Sequence, residues 1–312
     1  MLTRRAFLAG TAGAFLPSQS PMMGPILAPD EKWEGTCAMP FGGGIHKTRN
    51  GYRCYYLANF TRICLALSYD GLVWDKRDLG IFPGTNILLQ HGTMDSFSVW
   101  PHAGTWHMII SERGGGKLRL LTSVDGVFWA QQAEMPWAGD RTTLWYNPIK
   151  ERWTFNVRAG QGTGFDPRRI DRVESETFIP KQWKPERWLT AMPNEGADFS
   201  GSVQLYAVDV VPDGNRLIGL FTIWRGLEDN RPKSNDVCLG FSSDGDSFDR
   251  QYLPTLTRGA PGDWNYGNVQ SCTGGVHKVN GVYRLYASGR KGVPGTQENG
   301  ICSLGYREVA TL

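Results

Sequence analysis

SYDGLVW (residues 68–74), SVDGVFW (123–129) and SSDGDSF (242–248) are one heptapeptide written three times: Ser, any residue, Asp, Gly, two variable positions, then an aromatic. Asp70 and Asp125 lie 55 residues apart, and Asp125 and Asp244 lie 119 apart, close to two further steps of the same length. RVESETFIPKQW (172–183) stands where the intervening copy belongs and has lost its Asp-Gly. A period of this size marks an array of repeated units. Within each copy, Gly supplies a positive-φ turn and the Asp carboxylate accepts backbone N–H groups, while the aromatic packs against a neighbour. These three aspartates are therefore expected to be structural.

Reading outward, each turn follows a strand-like run: ICLALS (63–68), LRLLTS (118–123) and DVCLGFS (236–242), with GICSLGY (300–306) as a further example near the C-terminus. A hairpin precedes each run, such as GGGIHKTRNGYRCYYLAN, DSFSVWPHAGTWHMIISERG and TGGVHKVNGVYRLYASGRKG, in which apolar and aromatic segments flank an Asn-Gly or Ala-Gly turn. Five such units fit an all-β chain with 39 glycines and 12% aromatic residues. The expected fold is a five-bladed β-propeller of four-stranded antiparallel blades, spanning residues 30–312 as one domain.

The net charge of +3 is too small and too evenly spread for a nucleic-acid partner. The N-terminus, MLTRRAFLAGTAGAFLPSQS, pairs Arg4 and Arg5 ahead of an apolar run too short to span a bilayer, the pattern of a Tat-type export signal over residues 1–25. The protein is thus expected to be periplasmic or secreted, monomeric, and free of the membrane once the signal is removed. Six cysteines (37, 54, 64, 238, 272 and 302) lack the spacing of a zinc site and fix no disulfide connectivity. No metal or other cofactor is expected.

In a propeller the turn between third and fourth strands lies on the face opposite the starts of the inner strands, so chemistry is expected away from the Asp-Gly turns. Asp95 and Asp140 occupy pseudo-equivalent positions ahead of the inner strands of blades 2 and 3, and Glu195 and Asp198 precede that of blade 4. Asp95, Asp140 and Asp198 are the catalytic candidates, with Glu195 and Glu34 in reserve. Second strands end on arginine in four blades: Arg113, Arg158, Arg225 and Arg290. These either pair with the funnel carboxylates or bind an anionic group of a ligand. DWNYGNVQS adds Trp264, Asn268 and Gln270 as binding candidates, whereas His46 and His277, late in their inner strands, are expected to be structural twins.

The repeated turn resembles the Asp-box of sialidases and related propellers. The five-unit pattern over residues 35–310, with runs such as YRLYASGR and LIGLFTIWRG and acidic residues opening inner strands, resembles the five-bladed propeller glycoside hydrolases that include families 32, 43 and 68. That resemblance implies three acidic residues on inner strands of different blades. The chain departs from it in blade 1, where TCAMPFGGGIH carries no carboxylate, and it has no NDPNG, RDP or EC motif. The expected activity is hydrolysis of a poly- or oligosaccharide, neutral or anionic, by paired carboxyl groups acting as acid and as base or nucleophile. A non-catalytic sugar-binding propeller and a polysaccharide lyase are the alternatives.

Overall fold

The computed structural model describes residues 21–312 except 115, 164, 194, 196–202 and 226–233. Five antiparallel four-stranded sheets follow one another around a ring. The first strand, β1 (Met23–Leu27), joins the last blade. Blade 1 comprises β2 (Ala38–Thr48), β3 (Gly51–Ala58), β4 (Arg62–Ser68) and β5 (Ile87–Gln90); blade 2 comprises β6 (Met94–His102), β7 (Thr105–Glu112), β8 (Leu118–Ser123) and β9 (Ala130–Met135). Blade 3 is β10 (Thr143–Asn147), β11 (Arg152–Ala159), β12 (Arg169–Ser175) and β13 (Glu186–Leu189). Blade 4 is β14 (Val203–Asp213), β15 (Arg216–Arg225), β16 (Ser234–Ser242) and β17 (Asp249–Arg250). Blade 5 runs β18 (Asn268–Val279), β19 (Val282–Arg290) and β20 (Cys302–Val309), and takes β1 as its outer strand. This β1–β20 pairing closes the ring with backbone hydrogen bonds between the two ends of the fold.

Each strand alternates toward the blades on either side, so the apolar residues gather between blades. The described residues form five buried clusters, one at each junction; Tyr55, Leu57, Phe97 and Ile110 fill that between blades 1 and 2, and Ile218, Leu239, Val269 and Leu285 that between blades 4 and 5.

The repeated heptapeptides form the turns expected of them. Asp125 Oδ1 accepts the backbone N–H groups of Val127 (2.8 Å) and Phe128 (2.9 Å), and Ser123 Oγ accepts that of Gly126 (2.8 Å). Asp70 and Asp244 repeat the arrangement. Each turn is also clasped by an adjacent blade. The hydroxyl of Tyr55 donates to the Gly126 carbonyl and that of Tyr286 to the Gly71 carbonyl, both at 3.0 Å, and Asn147 Nδ2 donates to the Asp244 carbonyl at 2.8 Å. In blades 1 and 5 an arginine two residues earlier, Arg53 or Arg284, binds the carbonyl of the Asp itself. In blade 3, which lacks Asp-Gly, Phe178 still supplies the buried aromatic, packed on Trp153.

Polar side chains close the axis. Arg141 and Asp209, 1% and 2% exposed, pair at 3.2 Å. Arg141 also donates to the carbonyls of Phe41 (3.0 Å) and Ser271 (3.2 Å), while Asp209 accepts from Ser271 (2.6 Å) and Thr273 (2.8 Å). Ser98 of blade 2 reaches Thr273 at 3.1 Å, so all five blades enter one network. A charge buried this deeply is tolerable only when paired and hydrogen-bonded, and that requirement ties the ring together.

Candidate active site

A cavity of about 480 Å³ opens at the end of the ring away from the Asp-Gly turns. Its walls include Asp140, Arg168, Tyr206, Trp224, Gln270 and Arg290. Apart from Arg168, they come from the starts of inner strands and the ends of second strands.

Two of the decisive side chains sit on irregularities of inner strands. Asp95 lies where β6 shifts register between Met94 and Ser96, and Tyr206 where β14 shifts between Leu205 and Ala207. A bulge of this kind re-aims a single side chain without ending the strand. Asp140 lies in the turn that leads into β10, held by hydrogen bonds from Thr142 to the Gly139 carbonyl.

The carboxylates and arginines pair blade by blade. Arg113 Nε lies 3.4 Å from Asp95 Oδ1, and Arg158 Nε lies 2.5 Å from Asp140 Oδ1. The same sequence interval separates carboxylate from arginine in both blades, although Asp95 lies within β6 and Asp140 in the turn ahead of β10. Their surroundings differ. Asp140 also accepts a 2.7 Å hydrogen bond from the Tyr206 hydroxyl through Oδ2. Burial, reinforced by the charge of Asp140, lifts the Asp95 carboxyl above its ordinary range, against the opposing pull of Arg113 and Arg158. Burial and the adjacent Asp140 also push the Tyr206 phenol up, so it remains a proton donor.

Other candidates separate into those that reach the cavity and those that do not. Asn268, Gln270, Arg113 and Arg290 line it. Arg225 does not: its side chain is 2% exposed and pairs with Asp236 on the neighbouring strand. Trp264 is a packing residue, wedged against β1, β19 and β20 where Gly24, Gly289 and Gly305 leave room for its indole; a Cβ at any of the three would run into the ring. Phe60, Tyr206 and Trp224 are the aromatic residues that line the cavity. Asp198 lies outside the described residues.

The reserve acids are locked elsewhere. Glu34 is fully buried, paired with Lys76 and accepting the Tyr56 hydroxyl at 2.6 Å. Glu195 is buried against Arg250 and accepts the Met192 N–H at 2.9 Å. Burial lowers His46 to about 3 and His277 to about 4, which keeps both neutral in the inter-blade packing. Among the described residues no group of three or more His, Cys, Asp or Glu could hold a metal ion, and no helix is long and apolar enough to cross a membrane.

The sequence reading missed Arg168. It immediately precedes the third strand of blade 3, and its guanidinium stacks 4.5 Å from the Trp224 ring centroid. The signal available was the Arg-Arg pair at 168–169 after a glycine-rich loop, GQGTGFDPRR.

No family model and no curated protein matches the chain. Solved structures do. An N-acetylgalactosamine deacetylase from F. plautii in complex with blood group B trisaccharide aligns over 93% of this chain and 94% of its own, with TM-score 0.64 and 16% identity. A β-1,2-mannobiose phosphorylase from Listeria innocua aligns over 93% and 96%, with TM-score 0.63 and 14% identity. A thermostable family-43 glycoside hydrolase aligns over 88% and 92%, with TM-score 0.58 and 11% identity. The chain shares its five-bladed fold with glycoside hydrolases. At these identities the likeness is one of fold.

Proposed function

We propose that the chain is an exported carbohydrate-active enzyme, a glycoside hydrolase whose reaction centre is the Asp95–Asp140 pair. The observation that carries this reading is the unequal environment of two matched carboxyl groups. Asp95, lifted by burial and by its neighbour's charge, keeps a proton to higher pH and acts as the acid that protonates the leaving oxygen. Asp140, gripped by Arg158 and Tyr206, is the fixed carboxylate that serves the opposite role as base or nucleophile. Asp198 is proposed as the third acid. Asn268 and Gln270 supply amide groups for sugar hydroxyls, and Trp224 supplies a stacking face. The Arg4-Arg5 leader supports export.

Asp95→Asn and Asp140→Asn test the assignment on whichever glycan a substrate panel identifies. Each variant keeps its melting temperature near the parent's and loses turnover by at least about 100-fold, the scale of a missing general acid or base. Near-parental rates in both variants reject the pair.

A second reading, a polysaccharide lyase, draws support from the Tyr206 hydroxyl set 2.7 Å from Asp140 beside two arginines, Arg158 and Arg168. Elimination leaves a carbon–carbon double bond in the product, so ultraviolet absorbance of the released sugar separates lyase from hydrolase.

A further inference from the structure

We infer that Arg168 and Arg290 form an oxyanion subsite in the funnel, so that the sugar bound there carries a carboxylate or a sulfate ester. The inference rests on reading the funnel as a carbohydrate site and names the class of sugar.

Of the arginines on or beside the cavity, Arg113 is matched by Asp95 and Arg158 by Asp140. Arg168 and Arg290 have no carboxylate within ion-pair distance among the described residues. Nearby carboxylates exist: Arg169, next in the chain, takes both Asp166 and Asp171. Of this Arg-Arg pair, the residue that faces the cavity is therefore the one without an ion-pair partner among the described residues.

Arg168 is also held in place. Trp224 covers one side of its guanidinium, and the backbone at Gly162 lies so close that a Cβ there would collide with it. Nη1 donates to Gln204 Oε1 at 3.1 Å, and Nη2 has no protein acceptor among the described residues. Burial and the nearby Arg158 disfavour its charge, and the opposing pull of Tyr206 and Asp140 is the smaller effect. Arg290 is fixed through Nη1 on the Asn299 carbonyl at 2.8 Å, while among the described residues Nη2 meets only the Met39 sulfur at 3.7 Å. Two positioned guanidinium groups with nitrogens free of oxygen acceptors suit a planar carboxylate or a tetrahedral sulfate better than a neutral hydroxyl.

The same chemistry would take free inorganic phosphate or sulfate, and the test separates the sources. The protein is titrated calorimetrically with a galacturonate trisaccharide, its carboxyl-reduced counterpart, inorganic sulfate and inorganic phosphate, at low and at physiological ionic strength. The expected result is acidic-sugar binding at least about 10-fold tighter than that of the reduced sugar, weakening with salt. Arg168→Gln and Arg290→Gln each abolish that preference without lowering the melting temperature. Sulfate or phosphate binding that disappears in Arg168→Gln, with no acidic-sugar preference, assigns the subsite to a free anion and overturns the sugar class. Equal binding of acidic and reduced sugars overturns the subsite and leaves the carbohydrate reading standing. No binding of either inorganic anion or of the acidic sugar overturns it outright.

Discussion

Gly126→Ala tests how the repeated heptapeptide holds the ring. Gly126 has φ +73°, where an L-residue costs about 1–2 kcal/mol. Its added methyl would also run into the Tyr55 hydroxyl and Arg53 guanidinium reaching over from blade 1. Arg53 is long enough to move aside. Tyr55 is fully buried, and a displaced hydroxyl there forfeits its bond to the Gly126 carbonyl at about 1–3 kcal/mol. The sum is about 2–5 kcal/mol, and at roughly 2 °C per kcal/mol the melting temperature falls by about 4–10 °C in calorimetry. Tyr55→Phe alone loses one hydrogen bond, about 1 kcal/mol. In the double variant the phenyl ring leaves space for the methyl, so the two effects fall short of their sum by about 1–2 kcal/mol. Strict additivity in the double-mutant cycle would show that the inter-blade clasp is not what fixes this glycine.

Replacing Arg113 by Gln removes a cation that lowers the Asp95 pKa, so the alkaline limb of kcat/KM moves to higher pH; an unmoved limb dissociates Asp95 from the acid role. The same raised pKa bears on stability. A folded-state pKa above the unfolded one gives stabilisation that is complete below the unfolded pKa and lost as pH rises through the folded value. Asp95→Asn therefore melts at or above the parent temperature at neutral pH, and the gap closes below the ordinary carboxylate range; a loss at neutral pH contradicts the burial argument. Glu195→Gln leaves the buried Arg250 uncompensated and costs about 3–5 kcal/mol in urea unfolding, while turnover per folded molecule is unchanged. Lysine at both Arg4 and Arg5 leaves the protein inside the cell with its leader uncleaved; normal export by fractionation refutes the Tat assignment.

How far the sequence reached depended on whether a signal was local. The Ser-x-Asp-Gly turns, the hairpins and the alternating strands are dictated by backbone conformations that short stretches specify alone, and counting them gave five blades and the faces they present. The register that aligns Asp95 with Asp140 came the same way, because equivalent positions in repeated units recur at equivalent points of the sequence. What the sequence left open concerns pairings between distant segments. Nothing near Glu195 announces Arg250, and nothing near Arg225 announces Asp236; burial in a shared core made these groups structural. Trp264 reads as a loop aromatic until glycines from three strands are brought beneath it. The stretch 23–25 reads as the end of a leader until β20 presents an edge that β1 covers. Arg141 and Asp209 meet only because five inner strands converge on one axis, and Arg168 joins the funnel because Trp224 and Gly162, from different blades and loops, fix its plane. The chain's local chemistry set the blades and their turns, whereas closure of the ring decided which charges were neutralised inside it and which were left facing the cavity.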